Sequence, residues 1–338
     1  MVLPLASPPS ATALHDLITS QRITAVIHVA ARLGVADYLA GGAKSTSELV
    51  EETGAQERSL RRLLRALVTL GICKLVGKDH FELTAMGGHL AAGASQSLKY
   101  WALNEVELMP RLWGSLFDTV RAGKNPTTAA EFFENMTPEL AKIFDQAMAE
   151  ITGMVLPEVL AAYDFSGITR LMDVGGGCGQ LLSAILNAYP LMRGAVFDLP
   201  RCAEAAKKQL SDARVSDRSE FIGGSFFEAV PDGADAVVLK SVIHDWDDEQ
   251  SCKILDNCRQ ALSTSGKLLL VERLIPEIPE ANPDHCSIAL SDLNMLALGG
   301  SACERTEGEF RELLSKTRFS MTRVQRAGRY NVIEATLA

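Results

Sequence analysis

The chain has 338 residues, 47% of them hydrophobic and 22% charged, with 33 Lys and Arg against 42 Asp and Glu, a formal charge of −9. That length suits about two domains of roughly 100–200 residues each, and the acidic balance counts against nucleic acid as the default partner. No apolar run approaches the roughly 20 residues that span a bilayer. The N-terminus lacks the basic leader of a signal peptide, and seven cysteines with no C-x-x-C pair argue against a disulfide framework or structural zinc. A cytoplasmic protein without a metal is the expectation.

Residues 1–100 read as a helical unit. The tail around Ser7-Pro-Pro reads as frayed, and Ala25, Val26, Val29, Ala30 and Leu33 keep helical spacing. Ser45-Thr-Ser-Glu48 has the form of a capping box, opening a short helix that stops at Gly54. A second helix runs over about 56–70, with Leu60, Leu63, Leu64, Leu67 and Leu70 on one face and Gly71 at its end. Ile72–Val76 and His80–Leu83, joined through Gly77, form a small hairpin. Helix, helix and wing outline a winged helix. Arg58, Arg61, Arg62 and Arg65 would then lie on a recognition helix, but the acidic total favours a solvated or dimer-facing side.

Residues 101–165 are helical again and rich in aromatics: Trp101, Trp113, Phe117, Phe132, Phe133 and Phe144, with Met148. From 166 to 338 strands and helices alternate. The expected strands are Arg170–Val174, Gly194–Asp198, Glu220–Ile222, Ala236–Leu239 and Lys267–Glu272, with helices Gln180–Ala188, Ala203–Leu210 and Asp248–Leu262 between them. The alternation implies a parallel sheet covered on both faces, closed by a hairpin of Phe319–Val324 and Tyr330–Leu337.

The first of these strands ends at Asp173 and runs into Gly175, Gly177 and Gly179, where a backbone without side chains can approach a ligand. Asp198 ends the second strand, at the place where an acid accepts hydrogen bonds from a ribose diol. A dinucleotide fingerprint requires glycine at position 180, which is Gln180. The G-x-G-x-G pattern instead suits a ligand with an amino-acid tail and no phosphate, and favours S-adenosylmethionine.

The runs Asp173–Gly179, Val196–Pro200, Gly223–Phe227, Leu239–Trp246, Gly266–Glu272 and Glu304–Thr306 together resemble the small-molecule O-methyltransferases of the plant caffeic acid and bacterial antibiotic types. The resemblance implies an α/β fold. It pairs a Rossmann-like methyltransferase sheet over 166–338 with an N-terminal all-helical winged-helix dimerisation domain over 1–100, and connecting helices over 101–165 that line an acceptor pocket. It implies a homodimer, and cofactor contacts from Asp173, Gly175, Gly177, Asp198, Leu199, Ser225, Phe226, Lys240 and Trp246. Ser225 stands where the plant pattern has Asp, so it would accept from the adenine amine without a charge. The acceptor would face Asn104, Trp113, Phe144, Met148, Asp245, Asp292 and Met295.

By the same resemblance His244 is the general base. A phenol of pKa about 10 is only about one part in a thousand ionised at neutral pH, a deficit of about 4 kcal/mol, and a positioned histidine relieves it as attack proceeds. Such a histidine needs an orienting carboxylate. Glu272 ends the strand next to the one that leads to His244, and Glu304 matches the family's second carboxylate. The loop before it, Ser301-Ala302-Cys303, is longer than the family pattern. Asp247 and Asp248 read as caps of the next helix. Two other readings share these features: a DNA-binding regulator on a vestigial methyltransferase fold, and a family member that uses the cofactor for chemistry other than methyl transfer.

Overall fold

The computed structural model describes residues 10–123, 125, 131, 135–298 and 302–338. The positions of Phe132, Phe133, Ser301 and the tail up to residue 9 lie outside them. The chain divides into two compact units, residues 1–114 with 136–151, and residues 115–135 with 152–338. The aromatic segment 101–165, read above as a separate connecting layer, is therefore shared between the two. The helix Pro138–Ala162 runs from one into the other.

In the first unit the helix Glu57–Thr69 buries Leu60, Leu64 and Leu67, each 2% exposed or less. Full burial of such a side chain stabilises by about 1.5–3 kcal/mol. The capping box at Ser45 forms as expected, with both reciprocal hydrogen bonds to Glu48, and the helix Thr46–Thr53 ends at Gly54 with φ +67°. The expected hairpin is β2 (Cys73–Val76) with β3 (His80–Leu83), and a short β1 (Lys44–Ser45) pairs with β3. The unit is thus helical with a three-stranded sheet rather than helical throughout. Asp79, in the hairpin turn, accepts from the Thr46 hydroxyl at 2.7 Å and from Arg61 at 2.6 Å. These bonds hold its carboxyl below the usual range, the Thr46 bond foremost. One of the four arginines is therefore spent inside the unit, while Arg58, Arg62 and Arg65 stay exposed.

The second unit holds a seven-stranded sheet in the order β6-β5-β4-β7-β8-β10-β9. Its strands are β4 (Arg170–Val174), β5 (Arg193–Asp198), β6 (Ser219–Gly223), β7 (Ala234–Lys240), β8 (Leu262–Glu272), β9 (Phe319–Ala327) and β10 (Tyr330–Leu337). β4 to β8 are parallel, and the hairpin β9–β10 adds antiparallel through β10 on β8. Val237 to Leu239 and Leu268 to Val271 are fully buried, and apolar clusters cover both faces. That double cover is why these strands read as unbroken apolar runs.

The order has a functional consequence. From β4 the chain first steps outward through β5 to β6, then returns to the other side of β4 as β7. The crevice at the carboxyl ends of β4 and β7 is a topological switch point, where open α/β sheets bind ligands. No helix among the described residues is long and apolar enough to cross a membrane.

Candidate active site

The loop after β4 is built for close approach. Gly175, Gly177 and Gly179 have φ of +71°, +55° and +76°, in the left-handed region that glycine adopts without strain. A β-carbon on Gly175 would sit 2.8 Å from Val242 Cγ2, and one on Gly176 would sit 2.7 Å from the Asp173 carboxyl, so both positions are closed to larger residues. Above Gly177 there is open space. The Gly177 amide donates to Asp198 at 2.7 Å, and the Leu199 amide donates to its other oxygen at 2.6 Å. Asp198 is thereby fixed at the end of β5, beside the loop.

Asp173 is buried, and its Oδ2 lacks a hydrogen-bond partner. Burial pushes its carboxyl up to about 7, with Asp198 adding to the rise and Lys240 opposing it. A buried polar oxygen without a partner is costly, so this one points to a donor supplied by a ligand. Phe226 lies 3.7 Å from the β-carbon position of Gly175 and packs edge-on against Trp246, with ring centroids 5.9 Å apart. Leu199 keeps 44% of its surface exposed at the loop's rim. Ser225 accepts from the Phe227 amide, and Lys240 donates to the Ser241 hydroxyl at 3.1 Å. Together these groups offer an amide-lined cradle, a carboxylate pair and an apolar wall.

His244 lies in the short helical turn Ile243–Asp245 beyond β7 and is 8% exposed. Its Nδ1 is 2.9 Å from Glu272 Oε2 and 3.6 Å from Glu304 Oε2, and its Nε2 is 3.6 Å from Asp245. The contact with Glu272 is the shortest of the three. Glu272, fully buried at the end of β8, uses Oε1 to accept from the Val242 and Ile243 amides at 3.0 and 2.9 Å. It therefore braces the turn as well as the ring. Glu304 accepts from the Ser291 hydroxyl at 2.7 Å, and its amide donates to Asp292 at 3.0 Å.

Burial works against a charged imidazole, yet Glu272, Glu304 and Asp245 outweigh it and hold His244 well above its ordinary 6.5. Burial likewise pushes Asp245 up to about 6. Glu304 ends below its usual value, because His244 and the Ser291 bond overcome its burial. Asp247 caps the helix Asp248–Ala261 by accepting from the Gln250 amide, whereas Asp248 bonds Arg305 and Lys316 instead.

The residues expected at the acceptor fall in both units. Asn104, Trp113, Phe144 and Met148 belong to the first, and Asp245, Asp292 and Met295 to the second. Asn104 is buried with an unpartnered Oδ1, and Asp292 is engaged by the Glu304 backbone. Sequence reading gave no role to Ser291, Cys303 and Arg305, all of which hold this cluster in place. The first two act through a short hydroxyl and a backbone amide, which carry no recognisable spacing.

Known proteins resemble the chain over most of its length. A model of the O-methyltransferase domain matches residues 113–320, and one of the O-methyltransferase dimerisation domain matches residues 15–92. The chain is 37% identical over 333 residues to phenazine O-methyltransferase of Lysobacter antibioticus, covering 97% of this chain and 96% of that protein. The crystal structure of LaPhzM superposes with a TM-score of 0.91 at 36% identity, over 98% of this chain and all of that one. The O-methyltransferase NcsB1 from neocarzinostatin biosynthesis, solved with S-adenosylmethionine and 2-hydroxy-5-methyl naphthoic acid, superposes at 0.77 with 30% identity, over 98% of this chain and all of that one. Aclacinomycin 10-hydroxylase of Streptomyces purpurascens is 32% identical over 308 residues, 87% of this chain and 80% of that protein. The chain is an enzyme of the O-methyltransferase family, with a dimerisation domain ahead of a Rossmann-like catalytic domain.

Proposed function

We propose that the enzyme transfers the methyl group of S-adenosylmethionine to a phenolic hydroxyl of a small aromatic metabolite, with His244 as general base. The observation that carries this reading is the buried imidazole held between Glu272 and Glu304 at the switch-point crevice that also holds the glycine loop. The cofactor fits the residues present: the unpartnered Asp173 oxygen and the open room over Gly177 suit an ammonium-bearing tail, Asp198 suits a ribose diol, and Leu199 and Phe226 suit a purine face. Ser225, Lys240 and Trp246 complete the proposed cofactor contacts. Bound there, the cofactor supplies an electrophilic methyl group on a sulfonium.

The chain's own task is then to hold the acceptor oxygen in line and to take its proton. Nε2 of His244 receives the proton, and Glu272 and Glu304 stabilise the imidazolium from the Nδ1 side. In the second unit Asp245, Asp292 and Met295 are proposed to face the acceptor. Asn104, Trp113, Phe144 and Met148, expected at the acceptor from the family resemblance, belong to the first unit. The test is methyl transfer from labelled S-adenosylmethionine to a panel of phenols, anilines and carboxylic acids. Label on phenolic oxygen is expected; turnover of the anilines alone, or none of the panel, would overturn the hydroxyl assignment.

No step requires a metal. His244, Glu272 and Glu304 do bring one nitrogen and two oxygens within 4.8 Å of one another. However, Glu272 spends its other oxygen on two backbone amides, and the ensemble reads as a proton-holding cluster. Adding EDTA to the assay is expected to leave the rate unchanged, and a rate lost to EDTA and restored by a divalent cation would refute this. We further propose a homodimer formed through the N-terminal domain, whose dimerisation segment covers residues 15–92, consistent with the apolar Leu17 and Ile18 exposed along the helix Ala11–Thr19. Sedimentation equilibrium should return twice the chain mass, and a monomer at micromolar concentration would contradict it.

A further inference from the structure

The turn that carries His244 is an awkward piece of backbone. It begins at Ser241, a non-glycine residue with φ +54°, in the left-handed region that residues with a β-carbon rarely adopt. It then makes a single helical turn, whose carbonyls do not all find partners in a helix. Something must hold it. Arg305 is 3% exposed, and its guanidinium donates to the Ile243 carbonyl at 3.0 Å, to the Trp246 carbonyl at 2.9 Å and to Asp248 at 3.1 Å. The first two carbonyls flank His244 on either side. From the same segment the Cys303 amide donates to the carbonyl of His244 itself at 2.9 Å.

We propose that Arg305 is a positioning residue, a fork that clamps the turn from both ends and sets where the His244 ring stands relative to Glu272 and Glu304. Its own place is fixed from three directions. Its carbonyl accepts from the Ile275 amide, its backbone bridges Leu274, and Thr306 after it caps the helix Glu307–Lys316 through a second capping box. The segment 303–306 thereby delivers three things to one histidine: an amide on its carbonyl, a carboxylate near its Nδ1 and a guanidinium across its turn. A guanidinium is suited to this because its donors lie in a rigid plane and can reach separate acceptors at once. An ammonium is a single point and cannot span them.

The inference rests on His244 acting as the base, and its test separates the two. Arg305→Lys keeps the charge and loses the fork, and is compared with His244→Ala in the methyl-transfer assay. For Arg305→Lys, kcat is expected to fall roughly ten- to hundredfold, the cost of a ring displaced by a fraction of an ångström, while S-adenosylhomocysteine affinity stays within about threefold. Asp248→Asn, which removes the outer, more exposed anchor of the fork, should give a smaller drop in the same direction. The second readout is an NMR titration of His244, assigned by its absence from His244→Ala. The groups bearing on that ring are Glu272 from β8, Glu304 from the following loop and Asp245 from its own turn, with Lys240 and Arg273 acting on those carboxylates. Displacing the ring from its carboxylates should lower its pKa in Arg305→Lys. A normal kcat and an unmoved His244 pKa would overturn the positioning role while leaving the general base intact. A dead Arg305→Lys with an unmoved His244 pKa and lost cofactor affinity would also overturn it, as a general structural defect. A near-normal rate for His244→Ala would instead sink the general-base reading on which it stands.

Discussion

His244→Ala is expected to lose about 10²–10⁴-fold in kcat, the range a positioned general base contributes, or about 3–5 kcal/mol of barrier at 1.36 per decade. Its affinity for S-adenosylhomocysteine by calorimetry should stay within about threefold, because the proposed cofactor cradle is built by the β4 loop and Asp198 and not by the imidazole. The pH dependence of the unmodified enzyme follows from the same cluster. The active form of the base is neutral, and its carboxylate neighbours favour the charged form. In the free enzyme kcat/KM should therefore rise with pH, with a midpoint above 6.5. Glu304→Gln removes one of those charges and should move the midpoint to lower pH. A flat profile between pH 5 and 8, or a His244→Ala variant near the normal rate, would mean that the phenol ionises without help from this residue.

Asp198→Ala should show the opposite pattern, with cofactor binding weakened and the chemistry of the bound complex largely preserved. A hydrogen bond to a charged group is worth about 1.5–3 kcal/mol, so loss of one from a ribose hydroxyl weakens binding by about 10–150-fold. The variant also frees the Gly177 and Leu199 amides that now donate to the carboxylate, which loosens the loop it braces. Saturating cofactor is expected to restore most of the rate. Unchanged affinity in this variant would show that the cofactor is held elsewhere and that the glycine loop is only a tight turn.

The two variants divide the site as the sheet divides it. In the proposed site β4 and β5 carry the cofactor side, and β7 and β8 carry the proton side. Because β4 and β7 are neighbours although 59 residues of chain lie between Val174 and Ala234, the two sides meet across one crevice. The β-carbon position of Gly175 lies against Val242, at the foot of the turn that holds His244.

Much of this was present in the sequence. The capping box at Ser45, the leucine face of Glu57–Thr69, the glycine loop and the acid ending β5 are local patterns, since each depends on residues a few positions apart and on backbone geometry that repeats with a fixed period. The β7–β8 pairing also followed, since parallel strands joined by a helix set Glu272 beside the turn that holds His244. The small strand Lys44–Ser45 escaped because two residues carry no periodicity, and the division of 101–165 escaped because helical spacing says nothing about which unit a helix packs into. The position of Glu304 was open as well. Its loop departs from the family pattern, and what holds it is a hydroxyl from Ser291, a carboxylate from Asp292 and the Cys303 amide on the His244 carbonyl. Those partners come from separate elements and no spacing announces them. The sequence thus determined which chemical groups the enzyme owns and on which strands they stand. The tertiary structure alone decided how they are aimed, because aiming depends on hydrogen bonds between segments that only folding brings together.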